Sequence, residues 1–201
     1  MMNKLVLFLH GYGANGSDLL GLKDYINDKN GKILFESPNA PEPCPINYFG
    51  YQWFDLIERT PQEIYKGLIK SFISLDTIIK DLKNKHKVNF KDLVLVGFSQ
   101  GAMLASYYGL KTKNNLAGII SLSGGLPNSI LNELKEINVN QNYLIFHGRS
   151  DSVVPYERSE QLTQYLNNKK ITNELIIQED HDHGISEEAI ENMKVKINQW
   201  L

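Results

Sequence analysis

The 201 residues suffice to bury a core without metals or disulfides, and their number fits one domain over 1–201. A net charge of −2 with 22% charged residues leaves no basic face for nucleic acid or an anionic membrane, so neither is expected as a partner. Cys44 is the only cysteine, which excludes an intrachain disulfide and a cysteine-based zinc site; between Pro43 and Pro45 it reads as a bystander thiol.

The first apolar run, Leu5–Leu9, reads as a buried strand. It is too short for the core of an export leader, and no later run approaches the ~20 residues of a membrane span. A cytoplasmic location without integral membrane association is expected. Further short runs at Ile33–Phe35, Leu93–Val96, Leu116–Leu122, Tyr143–Phe146 and Glu174–Ile177 have the continuous Val, Ile and Leu content of parallel strands buried on both faces. Thr60-Pro61-Gln62-Glu63 carries an N-cap threonine, a first-turn proline and a capping-box glutamate. Ile64, Leu68, Phe72, Leu75, Ile79 and Leu82 follow as one helical stripe. Lysines from Lys80 to Lys91, with His86, read as a solvated helix end and loop. A last helix starts near Ser186, with Glu187 and Glu188 in its first turn, and buries Ile190, Met193, Ile197, Trp200 and Leu201. Alternating strands and helices predict an α/β fold: a mostly parallel central sheet with helices on both faces.

Ser37–Glu58 is the longest irregular stretch. It holds four prolines, then Tyr48, Phe49, Tyr51, Trp53 and Phe54. Loops of this length often serve binding, so these five rings are expected to wall a substrate pocket, the alternative being a cap on the sheet.

Gly97-Phe98-Ser99-Gln100-Gly101 follows a buried strand and precedes the small-residue segment Ala102–Ala105, the setting of a strained nucleophile elbow. A serine nucleophile needs a base, and the base an orienting acid, in the chain order serine, acid, histidine. Asp151 lies just beyond the strand Tyr143–Phe146, and the last strand leads to His181 and His183. His183, nearer the final helix, is the favoured base, while His181 stays open. His147 precedes the acid and reads as support for its turn. His181 and His183 as an H-x-H zinc pair lack a third ligand, so no metal is expected. The turn after the first strand, Leu9-His10-Gly11-Tyr12-Gly13, can aim an amide at the serine, which assigns the oxyanion donors to the backbone N–H groups of Tyr12 and Gln100. The main rival shares this stretch: Gly11, Gly13 and Gly16 with Glu36 match a dinucleotide fingerprint and would make the protein an oxidoreductase. His10 inside the strand and a helix that starts only at Ser17-Asp18 weaken that reading.

Together the segments Phe8–Gly13, Pro38–Pro41, Trp53–Asp55, Gly97–Ala102, Leu122–Pro127 and His147–Pro155, with His183 before the last helix, resemble the phospholipase/carboxylesterase family, which includes acyl-protein thioesterases. The resemblance implies the α/β-hydrolase fold, Ser99, Asp151 and His183 as the triad, and cofactor-free hydrolysis of carboxylic esters or thioesters. Ala102 and the Asp182-His183-Gly184 setting depart from the usual pattern, and the short chain implies a minimal lid. The expected substrate is a small or lipid-like ester with an apolar acyl chain, or an acylated protein, and the expected state a monomer or weak homodimer. A lysophospholipase, a peptidase of the same fold and a hydrolase-like binding protein without turnover are the alternatives.

Overall fold

The computed structural model describes residues 3–26 and 31–201; Met1 and Met2, which open the segment weighed as an export leader, lie outside it. Six strands form the central sheet: β1 (Lys4–Leu9), β2 (Ile33–Glu36), β5 (Leu93–Phe98), β6 (Gly118–Leu122), β7 (Asn142–Gly148) and β8 (Thr172–Gln178). Their order is β2-β1-β5-β6-β7-β8, and every neighbouring pair is parallel. Each apolar run in the sequence lies on one of these strands. The period of two divides each strand between two cores. Leu5, Leu7, Leu9, Leu93 and Leu95 face one helical layer, with Val6, Phe8, Val94 and Val96 facing the other. All nine are essentially inaccessible, and burial of one such side chain contributes about 1.5–3 kcal/mol.

The first layer contains α2 (Pro61–His86), α3 (Gln100–Lys111), α4 (Asn128–Leu131) and α5 (Glu157–Asn168). Ile64, Leu68, Leu75 and Ile79 form the buried stripe of α2. Thr60 caps this helix by accepting the Glu63 amide at 3.2 Å. The Glu63 carboxylate reaches beyond the ordinary capping-box target, accepting N–H groups of Ile57, Glu58 and Arg59. On the opposite face lie α1 (Ser17–Leu20) and α6 (Glu187–Trp200), the latter through Ala189, Met193 and Ile197. Ser186 caps α6 by accepting the Ala189 amide at 3.1 Å.

The stretch read as irregular contains a hairpin, β3 (Glu42–Cys44) and β4 (Asn47–Gln52). Its prolines and polar residues lack the alternation that marks a half-buried strand. Among the described residues no helix is long and apolar enough to cross a membrane.

Candidate active site

Ser99 stands between β5 and α3 with φ 53° and ψ −115°, a conformation a non-glycine residue adopts at a cost of about 1–3 kcal/mol. Close backbone approach enforces the bend. A Cβ at Gly97 would come within 2.2 Å of the Gly101 carbonyl oxygen, and one at Gly101 within 2.1 Å of that of Leu9. The Ser99 N–H donates to the Leu122 carbonyl at 2.9 Å, which ties the turn to the end of β6.

The Ser99 Oγ lies 3.0 Å from His183 Nε2, and His183 Nδ1 lies 2.7 Å from Asp151 Oδ2. An ionised carboxylate only accepts, so Nδ1 carries the proton and Nε2 is free to accept the serine hydroxyl. Phe98 packs on the imidazole at a centroid distance of 5.0 Å. Burial alone would raise the Asp151 pKa; the hydrogen bond with His183 and the amides of Val154 and Val153 outweigh it and hold the carboxyl below its ordinary value.

His147 supports the turn, as its position suggested, and does so through the acid itself. Its Nε2 is 3.0 Å from both Asp151 Oδ2 and the Val154 carbonyl, two acceptors, so this nitrogen is protonated. Its Nδ1 then accepts the Ser159 hydroxyl at 2.7 Å. Burial lowers the His147 pKa against the raising effect of these bonds and keeps the ring neutral. His181 is directed elsewhere. Its ring meets Phe146 edge-on at 6.1 Å, and its carbonyl accepts the Ser150 amide. Asp182 accepts the N–H groups of Ser152 and His183.

The loop carrying Tyr12 is held from three sides. Gly13 donates to Tyr51, Tyr51 donates to Ala14, and the Asn47 amide donates to the Gly13 carbonyl. His10 accepts the Ala40 amide at Nε2 (2.9 Å) and donates from Nδ1 to the Gly11 carbonyl (2.8 Å). Burial pushes the pKa of the Tyr12 phenol up to about 12, and the neighbouring Cys44 adds to the rise. Among the described residues the Tyr12 and Gln100 N–H groups have no acceptor in the chain. The Gln100 side chain is fully engaged: Oε1 accepts the Trp53 amide at 2.9 Å and Nε2 donates to the Phe54 carbonyl at 2.7 Å.

A cavity of about 560 Å³ opens beside Ser99 and His183. Leu19, Leu56, Ile64, Phe98, Met103 and Ile185 give it an apolar lining. The expected pocket wall of Tyr48, Phe49, Tyr51, Trp53 and Phe54 is corrected here: none of the five lines this cavity. The hairpin leaves Tyr48 and Phe49 exposed, at 92% and 81%, while Trp53 and Phe54 turn into the core. Tyr51 contributes its backbone to the Tyr12 loop. Trp53 Nε1 donates to the His10 carbonyl at 3.0 Å, so this segment braces the site from behind. The lining itself comes from separate segments of the chain, and no local pattern marks it.

The dinucleotide reading loses its contacts. The Gly16 amide donates to Asn39 Oδ1 at 2.8 Å, and Glu36 is paired with Lys85 (2.8 Å) and His86 (2.5 Å) on α2.

A parallel sheet covered on both faces, with a serine on a strained turn after β5, is the architecture of an α/β-hydrolase. The chain matches the phospholipase/carboxylesterase family over residues 1–201 and belongs to it. It is 30% identical to acyl-protein thioesterase 1 homolog 1 of Dictyostelium discoideum, across 98% of this chain and 90% of that one. Acyl-protein thioesterase 1 of Candida albicans is 33% identical across 79% and 75%. The structure of esterase PE8 superimposes with a TM-score of 0.90 at 34% identity, covering 100% of this chain and 94% of that one. By family the protein is a hydrolase of the carboxylesterase type.

Proposed function

We propose that the protein cleaves carboxylic esters or thioesters with an apolar acyl chain through an acyl-enzyme on Ser99. The observation that carries this reading is the hydrogen-bonded line Ser99–His183–Asp151 opening onto an apolar cavity. The Ser99 hydroxyl proton passes to His183 Nε2 as Oγ attacks the carbonyl carbon, and Asp151 stabilises the imidazolium that results. The free amides of Tyr12 and Gln100 stabilise the oxyanion, each such donor lowering the barrier by about 3 kcal/mol. As the intermediate collapses, His183 returns the proton to the leaving alcohol or thiol. Water then attacks the acyl-enzyme, its proton passing through His183 in the same way. Two acyl-protein thioesterases among the relatives favour including thioesters. Labelling with a fluorophosphonate probe, followed by a panel of acyl esters and thioesters, tests the proposal. Wild-type protein is expected to be labelled and Ser99→Ala not, and equal labelling of both would end this assignment.

A further inference from the structure

The chain has only three arginines, Arg59, Arg149 and Arg158, among a large number of lysines. Two of them, Arg59 and Arg158, line the cavity beside Ser99, and among the described residues no lysine does. Arg149 behaves as an ordinary surface cation, paired with Glu179 at 2.6 Å and lying over Tyr156. Arg158 is different. It sits in the first turn of α5, half-buried, and among the described residues its guanidinium has neither an ion pair nor a hydrogen bond. Burial pulls its pKa below the ordinary value with nothing opposing, yet an arginine remains protonated at any working pH. A cation partly withdrawn from water and left uncompensated is unfavourable unless an anion arrives.

Arg59 stands at the exposed rim, also without an acidic partner among the described residues. Its backbone has φ 54°, a left-handed conformation in which its N–H donates to the Glu63 carboxylate at 2.7 Å. Among the described residues Asp18 is the one carboxylate in the lining; it is exposed and paired with neither arginine. The planar fork of arginine suits a carboxylate or phosphate better than the point charge of lysine.

We propose that Arg158, with Arg59 at the rim, forms an anion-recognition subsite in the substrate cavity, so that favoured substrates are esters or thioesters bearing a carboxylate or phosphate remote from the scissile carbonyl. The inference rests on the reading of Ser99 as nucleophile, which identifies the cavity as the substrate's.

The test uses stable anilides, whose binding does not depend on turnover. Butyranilide is neutral, succinanilic acid places a carboxylate on the acyl side, and 4-butyramidobenzoate places it on the leaving-group side. Calorimetric titration of the wild-type protein at low salt is expected to show at least one anionic anilide binding about tenfold or more tightly than butyranilide, with the gap narrowing as salt screens it. Whichever anion gains locates the subsite relative to Ser99. Arg158→Gln is expected to remove most of the gap, and Arg59→Gln a smaller part. Equal wild-type affinities for the three compounds would overturn the proposal, as would a gap that survives both substitutions. The wild-type comparison stands alone if Arg158→Gln does not fold. Fluorophosphonate labelling and hydrolysis of neutral 4-nitrophenyl butyrate report separately on the hydrolase reading, so failure of one is distinguishable from failure of the other.

Discussion

Oδ2 of Asp151 meets two imidazoles, His183 at 2.7 Å and the buried His147 at 3.0 Å, while Oδ1 is held by two amides. The carboxylate is therefore held in place by the fold itself. Asp151→Asn is expected to lower kcat by about 10⁴, by upsetting the imidazole tautomer. Ser99→Ala should cost up to about 10⁶ with the fold retained. The histidines separate in the same assay: His183→Ala is expected to abolish ester hydrolysis, whereas His181→Ala, which removes only a ring beside Phe146, keeps at least about a tenth of the activity. A folded but inactive His181→Ala beside an active His183→Ala would reverse the assignment. In sequence these two residues could be ranked only by distance from the final helix, because both follow β8.

The elements divide into those whose patterns are local and those whose role depends on neighbours. The four inner strands, buried on both faces, appear as uninterrupted apolar runs and the half-buried edge strands β2 and β8 as shorter ones, so the positions of all six in the sheet were legible, with ends that moved by a residue or two. The serine turn was legible because two glycines and a small-residue helix are steric requirements of its geometry. The β3–β4 hairpin was not, nor was the cavity lining, since the exposed Tyr48 and Phe49 lie on β4 and the buried Trp53 and Phe54 just beyond its end, with no periodicity in the sequence to tell one pair from the other. Gln100 shows the same limit. Its amide was singled out, but its side chain also clamps Trp53 and Phe54. Gln100→Ala strands both buried partners, and urea unfolding is expected to show a loss of about 1–3 kcal/mol for each, while the protein that remains folded keeps measurable activity. An unchanged urea midpoint would mean that the clamp contributes nothing to stability.

For the molecule as a whole, acid is the vulnerable direction. His10 and His147 are both inaccessible, and burial lowers the pKa of each. An unfolded chain takes up protons on these rings near the unperturbed value of about 6.5, whereas the native rings do so only lower. Their contribution is therefore complete above about pH 6.5 and falls below it, by up to about 1.4 kcal/mol per pH unit for each ring, until the folded values are reached. Asp151 adds its own loss in stronger acid, as the pH falls from its ordinary value through the lowered native one. Urea midpoints are expected to hold steady from about pH 8 to 7 and to decline toward about pH 5, and a flat profile would show that neither ring is held neutral. The order of the sheet has one more consequence, for the time course of synthesis. The three side chains proposed to react follow β5, β7 and β8, and among the described residues β8 is an edge strand paired with β7 alone. On the proposed mechanism, a growing polypeptide that has displayed Ser99 and Asp151 is therefore expected to stay inert toward acyl groups on the ribosome. It gains reactivity toward an acyl group only once residue 183 has cleared the exit tunnel and the last strand has docked.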